Sequence, residues 1–463
     1  MSCTILWFRR DLRLQDNPAL HWACENSDRI LPIYIHAPQE EQWAPGAASR
    51  WWLHHSLQQL EQALQEYDLA LYRFSGDSGK LLAEISQISG ATELVFNRLY
   101  EPHLAKRDEQ LCHQLEQQGI NIHSFHDGLF FQPGSILNKQ DSPYRVYTPF
   151  YRNIRGRLEQ SYSNYRPLNS HQQLQNLELE TSLAKQADKT LSLCDEHPWH
   201  DKLHQYWQPG EQSGLEIMDR FIDQTLEDYI DTRDIPSLQG TSRLSPNLHF
   251  GELNVQQIYH MLQPLLAGSL GRRAMDAAER FLSQLIWREF AHHILWHYPH
   301  SSDKPMNSRF SNRFWCNNKK DFSRWTQGNT GVPLVDAGMK QLWETGWMHN
   351  RVRMVVASYL SKNLGISWLQ GARWFWDTLV DADLANNSMG WQWVAGCGVD
   401  AAPYYRIFNP LTQARRFDSE STYIDRWLPE HNKQEVLDPM VDLTASREQA
   451  LQRYKQHMNE QEL

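Results

Sequence analysis

The stretch from Leu334 to Phe417 constrains this chain more than any other. It reads LVDAGMKQLWETGWMHNRVRMVVASYLSKNLGISWLQGARWFWDTLVDADLANNSMGWQWVAGCGVDAAPYYRIFNPLTQARRF, and nine Trp fall in and just before it, from Trp315 to Trp393. An ordinary helical core is filled with Leu, Ile and Val. Trp packs well only where its indole N–H finds a partner. Among these rings stand Asn350, Arg351, Arg353, Asp381, Asp383, Asn386, Asn387 and Arg406. So many aromatic rings beside amides, carboxylates and guanidinium groups predict a pocket for a large flat ligand.

A chain of 463 residues allows two or three domains and a large core without staples. Its six Cys are scattered, with no CxxC and no Cys/His ligand spacing. This points to a reducing compartment and to no structural metal or disulfide framework. The opening MSCTILWFRRDLRLQDN becomes charged too early for a signal or transit peptide. No apolar run approaches ~18 residues, so no membrane span is expected and a cytoplasmic location follows. The formal net charge of −10 argues weakly against nucleic acid. Charge acts locally, however. Arg272-Arg273, Arg351-Arg353 and Arg415-Arg416 leave room for a basic groove on an acidic body.

Residues 1–130 read as an α/β domain. CTILWF, RILPIYIHA, LALYRF, TELVFNRL and NIHSFHD are strand candidates, and helical periods lie between them. DNPALHWACEN starts a helix with Asp16 or Asn17 as N-cap and Pro18 at the first position. Such alternation predicts a parallel, Rossmann-like sheet covered on both faces. No GxGxxG follows the first strand, so the dinucleotide fingerprint is absent. Residues 131–200 include a Gln-, Asn- and Ser-rich stretch and read as a connector. Residues 201–463 form an all-α domain. GLEIMDRFIDQTLEDYI, NVQQIYHMLQPLLAG, AMDAAERFLSQLIWREFAHHILWHY, GMKQLWETG, VRMVVASYLSKNLG and WLQGARWFWDTLV all carry 3.6-type apolar spacing.

Four constellations carry chemistry. GTSRLSPNLHFGEL offers the hydroxyls of Thr241, Ser242 and Ser245 near a helix start, which suits a pyrophosphate, although an ordinary N-cap uses the same residues. Gln284 and Trp287 share a helix face and could grip the edge and face of a planar polar ligand. Trp347, Asn350 and Met354 fall at helical spacing, and Arg353 could pair with Asp381 in the core. DADLANNSMGWQW crowds Asp381, Asp383, Asn386 and Asn387 before Trp391 and Trp393. A polar loop explains it equally well. The close carboxylates do not suggest a glycosidase, because nothing supplies a sugar-binding context.

WFRRDLRLQDN, QGTSRLSP, LIWREF, TGWMHNRVRM, DADLANNSMGWQWVAGCG and DAAPYYRIFNP, in this order, resemble the photolyase/cryptochrome family over almost the whole chain. The form GWMHNRVRM looks most like photolyases that act on cyclobutane pyrimidine dimers (CPDs), whereas (6-4) photolyases usually carry His-His at His349-Asn350. The resemblance implies an N-terminal antenna domain and a helical domain holding FAD. It matches Tyr229, Thr241, Ser242, Arg243, Leu244 and Ser245 to positions around the FAD phosphates. Arg353 and Asp381 match a salt bridge beside the flavin, Asp383 a neighbouring residue, and Asn387 the residue facing flavin N5. Trp391, Trp368 and Trp315 match the chain that carries electrons from the surface. Gln284, Trp287, Asn350, Met354 and Trp393 match the lesion pocket, with Trp287 also a wall beside the cofactor. Arg233, Arg288, Arg351 and Arg406 match arginines facing DNA.

One position departs from the pattern: dimer photolyases usually have Glu where this chain has Gln284. An amide donates or accepts without a protonation requirement. The implied activity is light-driven repair of UV-damaged DNA by a monomer. The alternatives are a cryptochrome-like signalling flavoprotein, which the short tail after WLPE disfavours, and a (6-4) photolyase. NRLYEPHLAKRD resembles the family stretch that contacts a 5,10-methenyltetrahydrofolate antenna, with Tyr100 and Glu101 at matching positions. The alternative antenna is 8-hydroxy-deazaflavin, although His249 stands where its binders usually have Lys.

Overall fold

Five short apolar runs near the N-terminus build one parallel sheet, and its strand order positions a cleft. The computed structural model describes residues 2–158, 175, 176, 187, 191–194, 198–310, 314–316, 318–400, 405–429 and 437–459. The Gln-, Asn- and Ser-rich part of the expected connector, 161–190, lies outside the described residues apart from 175, 176 and 187.

The strands are β1 (Cys3–Phe8), β2 (Arg29–His36), β3 (Tyr72–Ser75), β4 (Glu93–Asn97) and β5 (Asn121–Phe125), in the order β3-β2-β1-β4-β5. All four pairings are parallel. Every residue of β1 is buried, as a central strand covered on both faces requires. Helices α1 (Pro18–Asn26), α2 (Ala47–Gln65), α3 (Ser78–Ser89) and α4 (Pro102–Gln117) make the crossovers. Asn17, not Asp16, caps α1: its side chain accepts the Leu20 N–H, and Pro18 takes the first turn. Asp16 instead has φ +51. The order in which strands are added reverses between β1 and β4, so the crevice beyond their C-terminal ends is the switch point where such sheets bind ligands.

The remainder is helical. The run expected as one helix through residue 230 breaks: the helix Glu211–Gln224 ends at Thr225, which has φ −124, and a 3-10 turn Leu226–Asp228 and a short helical turn Tyr229–Thr232 follow. The long helix Arg272–His297 behaves as its pattern predicts and buries Phe281, Leu282, Leu285, Ile286 and Phe290. VRMVVASYLSKNLG divides into the α-helix Asn350–Ser358 and a π-helical turn Tyr359–Asn363. Within that turn Lys362 is buried. Its Nζ lies 3.3 Å from the Tyr405 ring centroid and donates to the Arg406 carbonyl at 3.2 Å. Burial pulls its ammonium down to about 7. Asp383 caps the helix Leu384–Ala395 by accepting the Asn386 N–H at 2.8 Å, so the segment that could have been a polar loop is the start of a helix.

Polar contacts join the two halves. Arg13, fully buried, makes a two-pronged pair with Asp127 at 2.7 and 3.0 Å and donates to the Gly251 and Asp16 carbonyls. Asn254 donates to the same Asp127 carboxylate. Glu252 accepts from the Trp52 indole of α2, from the Gly210 N–H and from Asn247. Glu289 accepts the Phe130 and Phe131 N–H groups. Burial pushes both glutamates up to about 7. At Gly251, φ is +66 and a Cβ would lie 2.1 Å from the Arg10 carbonyl oxygen, so only glycine lets the two backbones approach this closely. Leu203, Trp207, Phe250 and Val380 pack into the same core cluster as α2, which makes the junction apolar around these contacts.

Candidate functional site

The polar residues singled out in the Trp-rich stretch are brought together from several helices and the segments between them. Arg353, on Asn350–Ser358, holds Asp381 with one guanidinium nitrogen at 3.1 and 2.9 Å, and its Nε donates to the Met348 carbonyl at 2.7 Å. Ser245 Oγ donates to Asp381 Oδ2 at 2.6 Å. The Ser245 hydroxyl thus faces a carboxylate. Thr241, Ser242 and Leu244 lie on the loop before it.

Arg243 sits at φ +57, and its guanidinium lies 4.2 Å from the Trp207 ring centroid and 5.1 Å from that of Trp347. The loop is therefore pinned by a cation between two indoles. Trp347 stands outside the helix it was expected to share with Asn350. His349 is the N-cap, and its Nδ1 accepts the Arg351 N–H at 3.2 Å, so the helix begins at Asn350.

Asn387 Nδ2 donates to the Ala372 carbonyl at 2.9 Å and ties its helix to Trp368–Thr378. Trp368 and Trp391 are buried and Trp315 is half-buried. Trp391 lies against Gly371 so closely that a Cβ there would meet its ring at 2.1 Å. Trp391 also makes edge contacts with Phe375 at 5.0 Å and Trp325 at 6.2 Å between centroids.

Gln284 and Trp287 share a face of Arg272–His297, both half-buried. Arg233 donates to Gln284 Oε1 at 3.1 Å and lies over the buried Tyr229 ring. Asn350 Nδ2 lies 3.9 Å from Met354 Sδ. Arg351 pairs with Asp234 at 2.8 Å and stacks on Phe417, while Arg406 is exposed over Phe408. Arg288 departs from the expected DNA face. One residue beyond Trp287 turns the side chain about 100° around the helix. Its guanidinium donates to the Gly128 carbonyl at 2.6 Å and the Leu248 carbonyl at 3.2 Å, at the domain junction. Trp393 is half-buried, its indole N–H donating to the Asp400 carbonyl at 3.0 Å.

A second, narrow cleft opens at the switch point between β1 and β4, lined by Arg10, Asn97, Tyr100, Glu101, His292 and Asp383 among others. Arg10 pairs with both Glu41 and Glu101. Burial would raise the Glu101 carboxyl, but Arg10 and His292 bring it below its usual value. Asp383 turns its second oxygen to this side, 3.4 Å from His292 and 3.6 Å from His249. Burial alone would push the Asp383 carboxyl up. The facing His292 and His249 hold it well below the usual carboxylate range. Burial pulls His249 below the usual imidazole value against the opposing pull of Asp383. The Arg10 and His292 contributions were not legible in the sequence, because their partners lie far along the chain.

Buried polar atoms without a hydrogen-bond partner line the helical side: Arg233 Nε and Nη1, Arg243 Nε, His349 Nε2 and Ser388 Oγ. This donor-rich set fits a polar, anionic cofactor such as a flavin dinucleotide.

Comparison with known proteins agrees with this geometry. Residues 4–169 match the DNA photolyase family model, and residues 281–437 match the FAD binding domain of DNA photolyase. A deoxyribodipyrimidine photo-lyase from Agrobacterium fabrum is 40% identical over 432 residues, covering 93% of this chain and 88% of the relative. Cryptochrome-1 of Arabidopsis thaliana is 34% identical, and the match spans 93% of this chain but 63% of that longer protein. The solved structure of a bacterial class III photolyase from Agrobacterium tumefaciens superposes with a TM-score of 0.91 at 37% identity, covering 99% of this chain and 98% of that one. No helix among the described residues is long and apolar enough to cross a membrane. With a sheet domain, an FAD-binding helical domain and relatives matched along nearly its whole length, the chain belongs to the photolyase/cryptochrome family.

Proposed function

We propose that this protein is a light-driven DNA-repair enzyme that binds FAD and splits CPDs. The observation that carries the choice of lesion is the state of His349. Its Nδ1 accepts the Arg351 N–H, and burial lowers its imidazole to about 4. His349 is therefore neutral at physiological pH and a poor proton donor, and Asn350 beside it cannot titrate. Repair of a (6-4) product needs such a donor, whereas a dimer does not.

Reduced FAD, when bound, supplies the photo-excited electron that breaks the ring. The chain's residues do the rest. Arg351 and Arg406 contact phosphates and position the duplex without reading sequence. The dimer flips out at a cost of a few kcal/mol, less than for an intact pair, which favours the lesion. Trp287 and Trp393 receive its faces, and Gln284 and Asn350 hydrogen-bond its carbonyl and N–H edges. The Arg353–Asp381 pair and the loop Thr241–Ser245 hold the cofactor. In the deciding assay, oligonucleotides carrying one defined CPD or one (6-4) product are given to the reduced enzyme under blue light. Restoration of the dimer strand alone is expected, in wild type and in Gln284→Glu. Restoration of only the (6-4) strand would overturn the assignment.

Trp391, Trp368 and Trp315 are proposed to relay electrons to the oxidised cofactor. Trp368→Phe is expected to slow photoreduction at least about ten-fold while lesion binding stays within two-fold, since it sits on a buried helix start away from the pocket. A ten-fold loss of rate corresponds to about 1.4 kcal/mol of barrier. Photoreduction at the wild-type rate would show that electrons enter by another route.

We further infer a folate antenna at the switch-point cleft. Tyr100 and Glu101 line it, and His249, facing Asp383, stands where a deazaflavin binder usually has a Lys. Ligands released by heat from purified protein, reconstituted with 5,10-methenyltetrahydrofolate, are expected to contain FAD and the folate by mass. Protein holding FAD alone after that incubation would remove the folate from the account.

A further inference from the structure

Two residues outside the expected site connect the aromatic walls proposed to receive the lesion. Tyr147 opens the helix Tyr147–Leu158, and its ring stacks on Trp287 with centroids 3.6 Å apart and planes 9° apart. Its hydroxyl donates to the Ser283 carbonyl at 2.7 Å, next to Gln284. One face of Trp287 is thereby covered, and only the other is open to a ligand. The Tyr147 N–H, an orphan of a helix start, donates to Asp400 Oδ1 at 3.3 Å. A carboxylate at that end also suits the helix dipole. The backbone carbonyl of the same Asp400 accepts the Trp393 indole N–H at 3.0 Å.

Asp400 reaches both partners because its φ is +51, in the left-handed region that Asp and Asn tolerate better than bulkier residues. One strained residue therefore holds one wall directly and the other through Tyr147.

We propose that Tyr147 and Asp400 are positioning residues that set the spacing and tilt of Trp287 and Trp393 for two covalently joined, stacked pyrimidines, and so select a flipped dimer over unmodified bases. The proposal rests on the lesion reading given above. A joined pair of bases has one fixed thickness and tilt, so a pocket with tied walls favours it. Untied walls would close on a single base or open for any extruded one.

The test uses the full chain loaded with FAD and fluorescence anisotropy in the dark. The probes are an oligonucleotide duplex with one defined thymine dimer and the same duplex undamaged. Tyr147→Leu removes the stack. Asp400→Gly keeps the left-handed backbone and the carbonyl for Trp393 but deletes the tie to Tyr147. Asp400→Asn keeps an acceptor oxygen, and Tyr147→Phe keeps the ring. The first two variants are expected to lower the preference for the dimer about five- to ten-fold, the size of one aromatic contact. Affinity for undamaged DNA, FAD content and melting temperature should stay at wild-type values. The Asn and Phe variants should retain the preference. Wild-type preference in both Tyr147→Leu and Asp400→Gly would overturn the clamp alone. An Asp400→Asn variant no better than Asp400→Gly would overturn it too, since the hydrogen bond would then not be the cause. Absence of any preference in the wild type would overturn the repair reading and the clamp with it.

Discussion

Asp127→Ala is expected to destabilise the protein by about 3–5 kcal/mol, the cost of leaving one member of a buried ion pair alone. Arg13 shows no side-chain exposure and Asp127 only 3%, so water cannot take over the lost contact. The guanidinium would keep the Gly251 and Asp16 carbonyls but lose its counter-charge, and Asn254 would lose its shorter acceptor, keeping only the Asp16 carboxylate at 3.4 Å. Because these groups come from both halves, the loss should appear in one unfolding transition. Urea denaturation measures it as a lower midpoint at unchanged slope. The double change Arg13→Met with Asp127→Leu should recover part of the loss, because an apolar pair needs no desolvation. It should not recover all of it, since the Gly251 and Asp16 carbonyls lose the Arg13 donor at about 1–3 kcal/mol each. An Asp127→Ala protein within about 1 kcal/mol of wild type would show that the pair is hydrated in solution.

Asp381→Ala is expected to strip the cofactor. The substitution removes the carboxylate that holds Arg353 and accepts the Ser245 hydroxyl, so both walls of the proposed FAD site lose their anchor together. Arg353 is 24% exposed, which lets water reach the abandoned guanidinium. The expected stability loss is therefore nearer 2–3 kcal/mol than the full cost of a sealed pair. FAD affinity should fall by at least about ten-fold, roughly 1.4 kcal/mol. The ratio of flavin to protein absorbance after gel filtration reads the first effect, and melting of the cofactor-free protein reads the second. Asp381→Asn, which keeps an acceptor for Ser245 but not the charge, should fall between. Full FAD content in Asp381→Ala would remove the pair from the binding site.

The sheet half was legible because β-branched runs such as RILPIYIH have one reading, and because a Pro18 start with an Asn17 cap is local chemistry. The helical half was legible wherever a period ran on, as through Phe281 to Phe290. It was not legible where a cap or a packing contact decides. Nothing in TLEDYI announces that Thr225 leaves helical geometry, and the widened turn at Lys362 follows from tertiary packing. DADLANN admits a polar loop beside the pocket reading because Asp and Asn favour turns. The same preference makes Asp383 a cap. The Arg353–Asp381 pair was foreseeable from residue types alone. The inward turn of Arg288 toward the Gly128 carbonyl was not, since a motif gives a residue's place but not the direction of its side chain. Tyr147 and Asp400 escaped notice for a related reason. Each is ordinary in its own neighbourhood, and only the fold brings them to Trp287 and Trp393.

The junction has an optical consequence. Transfer of excitation between two chromophores depends steeply on their separation and mutual angle. Here the switch-point cleft is lined from both halves, across a seam stitched by Arg13, Glu252, Glu289 and the close crossing at Gly251. Asp383 faces His292 in the cleft while it caps the helix that carries Asn387. A pigment in the cleft would thus see the flavin along a line of sight fixed by buried side chains rather than by a tether. Its light-gathering yield would then be insensitive to thermal wobble as long as the seam holds, and would fail together with the fold rather than before it.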